Sequence, residues 1–144
     1  MTAILIIEDD ENDVLLLRMA LAREGITNPI HIVHNGKEAI RYLENDGEYA
    51  DRFKYPFPDL IFTDLKMPVM GGFAVLEWLK KHPDLCVIPI VVLSSSADGD
   101  DIRKAYRLGA SAYMVKPGSL DELRKAVRRA HEFWKHCEKP ALKE

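Results

Sequence analysis

The run Ala3-Ile4-Leu5-Ile6-Ile7, closed by Glu8-Asp9-Asp10, decides how the rest of the chain is read. Five apolar residues, most of them β-branched or Leu, make a strand with both faces covered, and the acids mark its carboxyl end. The same pattern recurs. Asp64 closes Leu60-Ile61-Phe62-Thr63, Ser94 follows Ile90-Val91-Val92-Leu93, and Lys116 follows Ala112-Tyr113-Met114-Val115. In an open parallel sheet, strand carboxyl ends line one edge, and ligands bind there. Residues far apart in sequence would then converge on one pocket holding carboxylates, a hydroxyl and an ammonium. That set suits a divalent cation and a phosphoryl group.

Strand and helix signals alternate, which argues for an α/β chain with a parallel sheet. Strands are expected near 3–8, 30–33, 59–63, 88–94 and 112–115. Val14, Leu17 and Leu21 give the first helix a buried stripe, and Gly25 suits its stop. Further helices are expected near 36–46, 72–82 and 99–108, the last with Asp98 as N-cap and Gly109 just past its end. The fifth opens on the capping-box spacing Ser119-Leu120-Asp121-Glu122, with a core stripe of Leu123, Ala126 or Val127, Ala130 and Trp134. The stretch from Asn45 to Pro58 reads as an extended loop. It either presents Tyr49, Phe53, Tyr55 and Phe57 or folds them back over the sheet edge.

At 144 residues the chain is most simply one domain, 1–144, with a core of about 3–130 and a C-terminal helical extension over 131–144. A net charge of −3 gives no reason to expect DNA or other nucleic acid as a partner. Cys86 and Cys137 are too few for a disulfide framework. No apolar run approaches the ~18 residues of a membrane span, and Glu8-Asp9-Asp10 cuts off any signal-peptide pattern. The expectation is a cytoplasmic protein with no membrane partner.

Carboxylates ~4 Å apart repel by roughly 4 kcal/mol at an effective dielectric of 20, so three in one crevice call for a cation. Hard oxygen ligands favour magnesium over zinc. After Asp64 come Leu65-Lys66-Met67-Pro68-Val69-Met70-Gly71-Gly72, where Pro68 stiffens the loop and the glycines let backbone pass closely. A carboxylate such as Asp64 is a competent nucleophile toward phosphorus when its partner's charge is neutralised.

These residues together resemble the receiver domain of two-component response regulators, from Ile4 to about Arg129. The resemblance rests on Glu8-Asp9, on Asp64 with Met67-Pro68 and Gly71-Gly72, on Ser94, and on Lys116-Pro117. It implies a flavodoxin-like doubly wound sheet of order 2-1-3-4-5 with five helices. It implies that Asp64 is the phosphorylation site. Glu8, Asp9, Asp64 and the backbone carbonyl of Lys66 would serve a Mg²⁺ ion, for which Mn²⁺ can substitute. Ser94 and Lys116 would hold phosphoryl oxygens, and the Lys116–Pro117 peptide would be cis. Ser94 and Tyr113 match the switch positions, and Lys66 and Ser96 match positions that tune lifetime. Glu8 and Asp9 align with the family's acid pair, leaving Asp10 to start the helix.

Gly118 departs from the pattern, standing where many receivers carry a large apolar residue. The long 45–58 loop and the chain's stop at Glu144, too soon for an output domain, resemble stand-alone receivers that serve phytochrome-type histidine kinases. The expected function is therefore phosphoryl acceptance from a sensor kinase and phosphorylation-dependent protein binding. It is a signalling role rather than an enzyme's, although such a chain assists its own phosphorylation and dephosphorylation. A homodimer through the fourth and fifth strands and fifth helix is expected, because adjacent Phe133 and Trp134 lie about 100° apart on a helix and cannot both face the core. The alternative is a degenerate receiver acting only as an interaction module, which the intact residue set opposes. An aspartate-nucleophile phosphohydrolase would need a carboxylate where Lys66 stands. A flavodoxin-like electron carrier would need a phosphate-cradling loop where Glu8-Asp9-Asp10 stand.

Overall fold

A computed structural model describes residues 3–138. The elements run β1 (Ala3–Ile7), α1 (Glu11–Arg23), β2 (Ile30–Val33), α2 (Gly36–Leu43), a short 3-10 turn (Gly47–Ala50), β3 (Pro58–Thr63), α3 (Gly72–Lys80), β4 (Ile90–Ser94), α4 (Gly99–Arg107), β5 (Ala112–Val115) and α5 (Leu120–Lys135). All strand pairs are parallel, and the sheet order is β2-β1-β3-β4-β5. The parallel sheet read from the sequence, and the doubly wound order 2-1-3-4-5 that the resemblance implies, are the fold. The helical extension expected over 131–144 begins as the end of α5. Its residues 139–144 lie outside the described residues.

Alternation within β1 builds two cores, because successive strand side chains point to opposite faces. Leu5 and Ile7 pack with Ala39, Tyr42, Val75, Leu76 and Ala105, under α2, α3 and α4. Ile4 and Ile6 pack with Leu17, Leu21, Leu123 and Val127, under α1 and α5. Of the alternatives on α5, Val127 is the buried member and Ala126 is half-buried.

Boundaries moved for local reasons. β4 begins at Ile90 rather than 88, since Pro89 has no N–H to give the ladder. Its carbonyl still accepts from the Ile61 N–H at 2.9 Å. α2 ends at Leu43 rather than 46, because Asn45 turns into the left-handed region at φ 60°. The caps formed as the side chains suggested. Asp98 accepts from the Asp100 N–H, and Ser119 accepts from the Glu122 N–H. The peptide bonds of the described residues contain no cis linkage, so the cis Lys116–Pro117 bond implied by the resemblance is corrected to trans. Trans is the preferred X-Pro isomer by about 0.5–1 kcal/mol, and in it the Lys116 N–H donates to the Ser94 carbonyl at 2.7 Å.

The Asn45–Pro58 loop does both things its aromatics allowed. Tyr49 is buried, Tyr55 and Phe57 are half-buried, and Phe53 stands fully exposed. The inward rings form a box. Tyr42, Tyr49 and Tyr55 have centroids 5.0–5.8 Å apart, with His31 alongside. Arg52 lies 3.7 Å over the Phe57 ring and donates to the carbonyls of Tyr55 and Leu43.

Candidate functional site

The order β2-β1-β3 makes β1 and β3 neighbours at the point where the chain reverses its winding direction, and their register pairs Ile7 with Thr63. The next residues, Glu8 and Asp64, therefore emerge side by side. The Asp64 N–H donates to the Ile7 carbonyl at 3.0 Å, which continues the ladder one step into the site. Carboxylate oxygens of Glu8, Asp9 and Asp64 all lie within 4.8 Å of one another. Asp10 stands apart from this trio as the N-cap of α1, accepting from the N–H groups of Asn12 and Asp13 at 2.9 and 3.1 Å.

Lys116 reaches the trio from the end of β5. Its Nζ donates to Glu8 Oε1 at 2.7 Å, to Asp64 Oδ2 at 3.2 Å and to Asp13 Oδ2 at 2.7 Å. Asp13 is a member that the sequence reading missed. Acids in the first turn of a helix are common for dipole reasons alone, so only its position one turn past the acid pair hinted at more. His34 was also missed, and its Nδ1 lies 3.1 Å from the Glu8 carbonyl oxygen.

Burial sets the electrostatics. Desolvation raises the Glu8 carboxyl to about 7, opposed by its hydrogen bond to Lys116 and aided by the nearby Asp64 charge. Lys116 also suffers burial, but its bonds to Asp13 and Glu8 outweigh that loss and raise its pKa. One ammonium thus stays charged while Glu8 remains under-compensated. Such a set of hard oxygens, with a buried carboxyl that a nearby cation would ionise, fits Mg²⁺ or Mn²⁺.

The loop after Asp64 is shaped by its glycines. A Cβ on Gly72 would run into the carbonyl oxygen of Asp64, and one on Gly71 into that of Leu65. The Leu65 N–H donates to Asp64 Oδ1 at 2.7 Å, which orients the carboxylate. Lys66 is exposed in this loop. On β4, Ser94 is buried and its Oγ accepts from the Ser96 N–H at 3.1 Å, so its own hydroxyl proton is not spent in that bond. Ser96 is less free. Its hydroxyl donates to Asp101 Oδ2 at 2.7 Å and accepts from the Asp98 N–H, so it braces the start of α4. Tyr113 on β5 ties into the same loop, its hydroxyl donating to the Ser96 carbonyl at 2.8 Å. Its backbone N–H donates to the Tyr106 hydroxyl at 3.1 Å.

Residues 4–128 match the response regulator receiver domain, and the chain belongs to this family of two-component signalling proteins. The response regulator Rcp1 of Synechocystis sp. is 36% identical over 131 residues, which span 91% of this chain and 87% of that protein. The Mn²⁺-bound form of Rcp1 aligns with a TM-score of 0.86 at 34% identity, covering 98% of this chain and 100% of that one. The phosphorylated cyanobacterial phytochrome response regulator RcpA aligns at 37% identity and a TM-score of 0.88, over 97% and 99% of the two chains. RPA3017, a response regulator in red light signalling of R. palustris, gives 29% identity and a TM-score of 0.92 over 98% and 99%. No helix among the described residues is long and apolar enough to cross a membrane.

Proposed function

We infer that residues 1–144 act as one receiver domain that takes a phosphoryl group onto Asp64 from the phosphohistidine of a sensor kinase. In the transfer, an Asp64 carboxylate oxygen forms the new O–P bond as the P–N bond breaks, and the imidazole nitrogen leaves with the electron pair. Asp9, Asp64 and the Lys66 carbonyl, with Glu8 acting through water, would hold a divalent cation, which would supply charge neutralisation for the phosphoryl oxygens. Lys116 and Ser94 hold those oxygens from the other side, by ammonium and hydroxyl donation. The observation that carries this reading is the convergence of Glu8, Asp9, Asp64 and Lys116 on one sheet edge, with Lys116 Nζ 3.2 Å from Asp64 Oδ2.

The likeness to RcpA and RPA3017 supports a phytochrome-type kinase as the donor, and a receiver served by such a kinase would work in the cytoplasm. Phosphorylation would draw Ser94 and its loop toward the phosphoryl group, and Tyr113, bonded to that loop, would carry the change to the surface of α4, β5 and α5. Lys66, and Ser96 through its brace on α4, would set how long the acyl phosphate lasts.

The direct test is Asp64→Asn, incubated with acetyl phosphate and Mg²⁺ and weighed intact. The parent gains one phosphoryl mass and the variant gains none. A variant labelled at the parent's rate would place the acceptor elsewhere.

The output would be protein binding, including a homodimer around β4, β5 and α5. Phe133 retains 73% of its surface while Trp134 is half-buried, so Phe133 is the candidate anchor. Sedimentation of the parent and Phe133→Ala, with and without acetyl phosphate, tests it. The parent should associate and the variant should not. A parent that stays monomeric throughout would remove the dimer.

A further inference from the structure

Lys116 is saturated. An ammonium has three N–H donors and accepts nothing, and here they meet Glu8 Oε1 at 2.7 Å, Asp13 Oδ2 at 2.7 Å and Asp64 Oδ2 at 3.2 Å. This inference rests on the reading that Asp64 is the phosphoryl acceptor. For Lys116 to hold a phosphoryl oxygen, one of its carboxylates must then give way.

The three are not equal candidates. The Glu8 side chain keeps only 7% of its surface, so losing Lys116 would strand a buried charge. Asp64, at 12%, is the acceptor itself. Asp13 keeps 35%, lies outside the trio that suits a cation, and can exchange the ammonium for water. Its backbone N–H is held independently by Asp10 Oδ1 at 3.1 Å, so its side chain can turn away without unwinding α1.

We propose that Asp13 is a positioning residue that keeps Lys116 in reserve, occupying the donor a phosphoryl oxygen takes over, and that its charge there disfavours the more anionic phosphodonors. Beside Glu8, Asp9 and Asp64, Asp13 is a fourth carboxylate, and it weighs against each added negative charge. Acetyl phosphate carries more negative charge near neutral pH than phosphoramidate, so it should feel Asp13 more strongly.

The test measures labelling rates with each donor, in Mg²⁺, for the parent and three variants. Asp13→Asn keeps the shape and an oxygen acceptor but removes the charge. Asp13→Glu restores the charge. Glu11→Gln removes a charge from the same helical turn at a residue 81% exposed, without touching Lys116. Asp13→Asn should label about fivefold faster with acetyl phosphate, equivalent to ~1 kcal/mol at ~1.36 kcal/mol per decade, and about twofold or less with phosphoramidate. Asp13→Glu and Glu11→Gln should stay near the parent. Thermal melts of all four confirm that folding is equal. Parent-like rates in Asp13→Asn, an equal gain with both donors, or the same gain in Glu11→Gln would each overturn the proposal while leaving the receiver reading intact. A parent labelled by neither donor would overturn that reading and this inference with it.

Discussion

Glu8, directly after β1 at the edge of the sheet, and Tyr42, on α2 against its face, are both almost wholly buried polar side chains, yet they sit in opposite circumstances. Tyr42 donates its hydroxyl to the Pro56 carbonyl at 2.7 Å and is ringed by Tyr49, Tyr55 and His31. Tyr49 likewise donates to Glu38 Oε2 at 2.9 Å. Burial pushes the Tyr42 hydroxyl up to about 12, which keeps it neutral and a donor. The acid edge reverses this. Glu8, Asp13 and Asp64 share the ammonium of Lys116 while Asp9 crowds against Glu8 and Asp64, so the negative charges exceed their local compensation. The difference teaches where stability and function separate: the buried Tyr42 and Tyr49 hydroxyls find acceptors within the fold, and the acid edge keeps an excess of negative charge that a divalent cation would offset.

The comparison breaks first in the box. Tyr42→Ala removes a fully buried ring and its hydrogen bond, and should cost about 3–5 kcal/mol in urea unfolding. The labelling rate of the molecules that remain folded should be unchanged. A loss below 1 kcal/mol, roughly the effect of an ordinary surface change, would show that the box is ornamental to stability.

The acid edge should respond in the other direction, and with pH. The Glu8 carboxyl is raised in the folded chain from 4.5 to about 7, so the folded state binds the proton more tightly than the unfolded one. Its contribution to stability is full below pH 4.5 and is lost as pH rises through about 7. Without divalent cation, the stability of the parent relative to Glu8→Gln should therefore fall across that window, by on the order of 1–3 kcal/mol. Adding Mg²⁺ should recover the parent at pH 8 far more than the variant. Parallel stability curves for the two chains would show that Glu8 carries no such stress.

The smallest effect sharpens the boundary of the acid edge. Lys66 is exposed two positions past Asp64, so Lys66→Asn should leave the melting temperature nearly unchanged. It should alter the dephosphorylation rate by about three- to fivefold, or roughly 1 kcal/mol in barrier. Chase of the labelled protein after removal of the donor reads this rate. Equal lifetimes would exclude Lys66 from the site's working range.

Much of this was legible in the chain itself. Most strands are short, mainly apolar runs, and a polar residue at the end announces the carboxyl edge whether or not its neighbours are known. Glycine and capping residues marked most helix boundaries for equally local reasons: Gly109 takes φ 103°, and Asp98 and Ser119 each accept a first-turn N–H. The misses differ in kind. Asp13 and His34 join the site only through contacts between distant segments, whereas the shifted ends of α2 and β4 trace to the local behaviour of Asn45 and Pro89.

What the sequence determined by itself is the alternation of strands and helices and the candidate set Glu8, Asp9, Asp64, Ser94 and Lys116, because period and strand ends are local properties. What only the tertiary structure decided is who meets whom. Asp13 resembles any helix-start acid until Lys116, 103 positions away, donates to it. Phe53 and Tyr49 are alike as loop aromatics until Glu38, Tyr42 and Tyr55 give only Tyr49 a place in the box. Phe133 and Trp134 differ only once α5 is docked, when one ring is left outside and the other half covered. In each case the deciding energy is that of a contact between distant segments, which no local window of sequence contains.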